Sequence, residues 1–83
     1  MNAETFNKLN LSQRLTLIYN YGEFISSLRF HDFKASLYIF QQLCVEVYFN
    51  TRKDRIEEIE VVEPHEKRLH LYTEDVNLES ILV

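Results

Sequence analysis

Between Phe33 and Phe49 the chain places strand-forming residues on both alternating faces, where a half-exposed strand would show only one apolar face. With Gln41 and Gln42 as a tight hairpin turn, Phe40 lies opposite Leu43, Tyr38 opposite Val45 and Ser36 opposite Val47, all on one face. The other face carries Phe33, Ala35, Leu37, Ile39, Cys44 and Tyr48, with Glu46 its only charge. An antiparallel sheet with one wet face alternates hydrophobic-in and polar-out, so this hairpin predicts cover on both sides.

The flanking segments extend the same sheet. Asn10 stands where an N-cap belongs, Gln13 completes a capping box, and Leu11, Leu15 and Ile18 follow at helical spacing, with Leu17 and Tyr21 widening the apolar stripe. The pattern predicts a helix over 11–21, stopped by Gly22 as a left-handed C′ residue. The period then changes. Phe24, Ser26, Leu28 and Phe30 fall on one side of a first strand, His31-Asp32 is the turn, and the second and third strands run Phe33 to Phe40 and Leu43 to Asn50. Residues 50–54 form a polar connector with turn-favouring side chains. The fourth strand, Arg55 to Glu63, sets Ile56, Ile59, Val61 and Val62 among four glutamates, a charge density suited to an edge. Residues 1–9 have no clean period, although Phe6 and Leu9 could dock on a neighbour.

After Pro64 the segment 65–73 reads two ways. Leu69 and Tyr72 suit a helix; Leu69, Leu71 and Thr73 suit a strand; the acidic residue before Pro64 tips the balance toward helix. Val76, Leu78, Ile81 and Leu82 give residues 74–83 enough apolar area to cover part of a sheet face. The expected fold class is α+β: a single small domain over 1–83, an N-terminal helix packed on a four-stranded antiparallel meander, and a helical or irregular segment after it.

Composition narrows the function classes. At 83 residues the core is thin, since a domain this short buries only about two-thirds of its unfolded surface, so help from a partner fits. With 46% hydrophobic residues and eleven aromatics (Tyr 5, Phe 6), the chain is far from disordered composition. Cys44 is the only cysteine, and with no disulfide and an acid where a secretory n-region would be basic, the expected location is cytoplasmic. No run reaches the ~20 apolar residues of a membrane span and no lipidation signature is present. The net charge of -4, with the basic run at Arg52, Lys53 and Arg55 followed at once by glutamates, argues against a nucleic-acid surface.

The candidate chemistry is sparse. A single glycine removes the phosphate-cradling loops and with them nucleotide cofactors. His65 and His70, five apart, would point about 140° apart on a helix, so a shared metal is not expected, and His31-Asp32 reads as a local turn pair rather than an oriented base. Cys44 reads as an inert buried thiol beside Ile39, since a nucleophilic thiolate needs a basic or positive neighbour. Glu57, Glu58, Glu60 and Glu63 lack the loop glycine and oxygen spacing of a calcium site and read as a solvated edge. Tyr38, Phe40, Tyr48 and Phe49 look superficially like a base-stacking platform, but their flanks are neutral or acidic.

The succession Tyr21-Gly22-Glu23-Phe24, residues 34–38, residues 45–50 and residues 56–60 resembles a group of short uncharacterised bacterial proteins over about residues 11–75. The resemblance implies no activity and carries over no functional residue. Gln41-Gln42 departs from the Gly or Asn usual at such a turn.

These readings favour a non-enzymatic interaction module, homodimeric or bound to an unidentified protein through an apolar sheet face, with Tyr38, Phe40 and Tyr48 as candidate anchors because aromatics dominate interface hot spots. No catalytic, metal-binding or cofactor-binding residue is assigned. Two alternatives stand beside it. One is a small-ligand or enzymatic pocket between sheet and tail using His31, Cys44 or His70. The other is an acidic inhibitor that meets a basic partner through Glu57, Glu58, Glu60 and Glu63.

Overall fold

The computed structural model describes residues 1–72, and in it the apolar stripes of the helix and of the central hairpin meet in one fold. The element order is α1 (Ala3–Asn7), α2 (Leu11–Tyr21), β1 (Glu23–Phe30), β2 (Phe33–Phe40), β3 (Leu43–Asn50), β4 (Arg55–Val62) and a 3-10 helix (Lys67–Tyr72). The strands form one antiparallel sheet in the order β1-β2-β3-β4, an α+β meander. The expected pairs Phe40 with Leu43, Tyr38 with Val45 and Ser36 with Val47 are those formed. Residues 74–83, with the apolar positions expected to cover the sheet, lie outside the described residues.

Two layers cover the two faces. Under α1 and α2, Phe6 and Ile18 pack with Phe40, Val45, Val47 and Ile59. On the opposite face, Leu69 and Tyr72 of the 3-10 helix close over Ala35, Leu37, Cys44 and Val62. A 3-10 turn stacks residues three apart on one side, so Leu69 and Tyr72 point together at the sheet, which resolves the helix-or-strand ambiguity of this segment. The aperiodic start of the chain holds a helix because Asn2 caps it through Thr5 N, and its one buried side chain, Phe6, tilts against Phe40 at 6.1 Å.

The capping box at Asn10 and Gln13 forms in both directions, as expected from the sequence. Gly22 is a correction. Its backbone is extended, at φ -80 and ψ 154, not left-handed. Glycine is required there by crowding: a Cβ would stand 2.6 Å from the Ile18 carbonyl oxygen, which accepts a 2.8 Å hydrogen bond from the Gly22 N–H. Gly22→Ala must push α2 off the start of β1, and we expect a loss of about 1–3 kcal/mol, the usual range for overpacking. Urea unfolding checks this; an unchanged midpoint would show that the junction yields freely.

The first strand needs a second correction. A bulge at Ile25 breaks its alternation, so Phe24 pairs with Tyr38 on the helix side whereas Ser26 and Leu28 pair with Leu37 and Ala35 on the other. The turn at Gln41-Gln42 is as tight as expected, and both residues take left-handed backbone (φ 47 and 69) with no glycine to relieve them. At the far end, Asn50 Oδ1 accepts from the Arg52 and Lys53 N–H groups at 3.0 and 2.9 Å, which folds the polar connector back. Thr51 N and Oγ1 then both donate to Asp32 O, at 2.7 and 3.0 Å, and tie the two turns of that end together.

The glutamate-rich β4 is an edge strand, as its charge suggested. Arg14 of α2 protects it: Nη1 donates to Ile59 O at 2.7 Å, while Nε and Nη2 donate to Leu9 O and Asn7 O. One side chain thereby closes an edge carbonyl, the last carbonyl of α1 and a carbonyl of the α1–α2 connection.

Candidate interaction site

The two sheet faces treat charge differently. On the 3-10 side, Glu46 and Glu60 are direct cross-strand partners, a like-charge pair that would repel if left alone. Glu46 is 3% exposed. Arg68 settles both: Nη1 lies 2.9 Å from Glu60 Oε1, and Nε lies 3.2 Å from Glu46 Oε1 and 3.0 Å from Glu66 Oε2. The Nε contacts are charge contacts without hydrogen-bond alignment. Glu46 gains its aligned bonds from two phenols, Tyr48 OH at 2.9 Å to Oε1 and Tyr72 OH at 2.6 Å to Oε2. Burial raises both phenol pKa values above the ordinary 10.0, and their hydrogen bonds to the Glu46 carboxylate raise them further. Burial alone would lower the pKa of Arg68, but Glu46 leads the neighbours that raise it. The cluster is a clamp that fastens the 3-10 helix to the sheet.

The helix side ends in an open groove. Helix α2 spans only part of this face, and beyond it lies a depression of ≈ 360 Å³. Its rim is aromatic: Tyr38 packs edge-on against Phe24 at 5.6 Å and tilted against Tyr19 at 6.3 Å, with Phe49 further along. Tyr19 and Phe24 are 60% and 53% exposed, too much apolar area to be explained by the core. Burial, then the nearby Tyr19 phenol, raises the pKa of Tyr38. Arg29 and Lys34 stand at the same groove.

The three candidate anchors therefore separate. Tyr38 lines the groove; Phe40 is buried beneath Phe6, at 2% exposure; Tyr48 lies on the other face, bound into the clamp. Tyr48 also borders a second depression with Phe33, Glu57 and Glu58. Sequence patterning placed Phe24 in a strand and Tyr72 in the 65–73 segment but assigned neither them nor Tyr19, Arg29 and Arg68 to an interaction site. For Phe24 the bulge hid the face; for Arg68 the available signal was the isolated acid at Glu46, which needed a cation from somewhere.

Elsewhere the chemistry stays sparse. Cys44 sits between Ile39 and Val62 in register, 1% exposed, and burial followed by Glu63 pushes its thiol pKa up, away from the nucleophilic form. His31, His65 and His70 are exposed, and among the described residues no three His, Cys, Asp or Glu side chains are placed to share a metal ion. The β4 glutamates are not uniformly solvated as expected: Glu57 pairs with Arg55 at 3.1 Å, which holds its carboxyl below the ordinary range, and Glu60 is half-buried in the clamp. Among the described residues no helix is long and apolar enough to cross a membrane. Compared with known proteins, the chain matches no family model, no curated protein and no solved structure.

Proposed function

We propose that this chain is a non-enzymatic interaction module that holds another protein in the helix-side groove, with Tyr38 as the central anchor and Phe24 and Tyr19 beside it. The observation that carries the reading is the exposed aromatic rim around a cleft that, among the described residues, α1 and α2 leave open. Aromatic rings in a shallow cleft supply rigid apolar contact at low entropic cost, which is why they dominate interface energetics. Leu69 and Tyr72 pack on the face opposite the helices, so the reading rests on the helix-side groove. Burial of the Cys44 thiol, with its pKa pushed up, holds it away from the nucleophilic form and supports a binding role over a catalytic one.

The test is selection of short random peptides on the immobilised protein, with Phe24→Asp as counter-screen. Binders should be enriched on the parent and lose at least about tenfold in affinity on the variant. Phe24 is 53% exposed, so the variant should unfold within about 1 kcal/mol of the parent. A library that yields no binder, or binders indifferent to Phe24, would remove this function.

A further inference from the structure

Arg29 and Lys34 are direct cross-strand partners in the β1-β2 hairpin, so two cations face each other on one side of the sheet. Their Cβ atoms are therefore about 5 Å apart, a spacing at which like charges destabilise a sheet. Both side chains are exposed, and neither has a hydrogen bond or ion pair among the described residues.

The rest of the molecule shows how unusual this is. Arg14 is spent on carbonyls, Arg52 pairs with Asp32, Arg55 with Glu57, and Arg68 with three glutamates. Arg29 is the one arginine left without a partner among the described residues. The matching like-charge pair on the opposite face, Glu46 and Glu60, is neutralised by a dedicated arginine. Acids outnumber bases in the chain, 13 to 9, so a partner for the Arg29-Lys34 pair was compositionally available. Among the described residues this arrangement costs stability without compensation, and such a place is where a functional demand is expected. The nearest turn acid, Asp32, is drawn away toward Arg52 at 3.5 Å.

From this juxtaposition we infer that the groove takes an extended segment of another protein in which an aromatic side chain is flanked by carboxylates. The inference rests on the interaction-module reading and adds the chemistry of the partner. The aromatic side chain enters among Tyr19, Phe24 and Tyr38, where ring packing is available edge-on or offset. The carboxylates meet Arg29, whose planar fork matches a carboxylate in two hydrogen bonds, and Lys34 as a point charge beside it. One or two carboxylates suffice to cancel the pair. A nucleic-acid strand fits less well: two cations on a chain of net charge -4 give little counterion release, and the remaining field repels a long polyanion.

The same peptide selection decides it by sequence. Peptides enriched on the parent should carry Phe, Tyr or Trp next to Asp or Glu, and their affinity should fall about tenfold or more on raising salt, as expected for exposed charge contacts. Selection on the double variant Arg29→Glu/Lys34→Glu should return aromatic peptides flanked by Lys or Arg instead. The single variant Lys34→Glu should lose the acidic peptides and yet unfold at a higher urea concentration than the parent, because it turns a repulsive pair into an attractive one. Binders that need Phe24 but show neutral or basic flanks, unchanged by the charge reversal, would overturn the partner chemistry and leave the interaction module standing. Absence of any binder removes both. A dimer seen by light scattering that Phe24→Asp dissociates would replace the foreign segment with a second copy and likewise overturn the inference. Poly-uridine binding stronger than that of the acidic peptides would do the same.

Discussion

Arg68→Met should cost about 2–4 kcal/mol of folding free energy. Loss of one partner of a fully buried pair costs about 3–5 kcal/mol, and the lower range applies because the Arg68 side chain is 38% exposed and water reaches the site it would vacate. The penalty falls on Glu46, which keeps its bonds from Tyr48 and Tyr72 but loses the positive charge of Arg68 and is left opposite Glu60. An 83-residue domain has about 4–12 kcal/mol in total, so the variant should stand close to its unfolding threshold at room temperature. Adding Glu46→Gln removes the stranded charge while its amide oxygen still accepts from a tyrosine, and the double variant should recover more than half of the loss. Equilibrium urea unfolding of parent, single and double variants forms the cycle. If the single variant matches the parent midpoint, or if Glu46→Gln deepens the loss, the clamp does not hold the 3-10 helix as described.

That clamp also marks the boundary of what the sequence could show. The meander, its register and its turns were legible because each rests on local rules: period-two alternation, a capping box at Asn10, and turn residues at His31-Asp32 and in the 50–54 connector. The two-sided apolar hairpin correctly announced two covers. What could not be read was which distant side chain would answer which. Arg68 meets Glu46 across 22 residues of chain, and Arg14 reaches Ile59 O across 45, and no periodicity encodes either. The bulge at Ile25 hid the groove for a related reason. A single extra residue reverses the faces, moving Phe24 from the side of Leu28 to the side of Tyr38, and only the pairing partner reveals it. Of the candidate anchors, Tyr38 and Phe40 share a face and differ in how far a helix covers them: Tyr19 of α2 only flanks Tyr38, while Phe40 is buried. That difference came from Phe6, in the segment whose sequence has no clean period.

Above pH 10 the protein should lose stability steeply, and Tyr72→Phe should flatten that loss. A phenol whose folded pKa is raised contributes stability that is complete below its unfolded pKa and declines as pH climbs toward the folded value. Tyr72 and Tyr48 are both in this position: the unfolded chain releases their protons near the ordinary 10.0, while the native chain retains them against the Glu46 carboxylate. Each retained proton tilts stability by about 1.4 kcal/mol per pH unit above that point. Tyr72, 5% exposed, should deliver nearly the whole of its share; Tyr48 is more open to solvent and should deliver less. Tyr72→Phe keeps the ring against Leu69 and removes the hydroxyl that donates at 2.6 Å, so at neutral pH it should be less stable by about 1.5–3 kcal/mol, the range for a hydrogen bond to a charged group. The opposite trend then sets in: between pH 9 and 11 the variant should lose less stability than the parent, by close to one proton's slope above pH 10, so the two curves converge. Tyr38, whose pKa is raised on the other face, contributes equally to both proteins and cancels in the comparison. Urea midpoints across this pH range supply the measurement. Parallel curves would mean that Tyr72 gives up its proton in the native state as readily as in the unfolded one, and the carboxylate-phenol bond could not then be the fastening of the 3-10 helix.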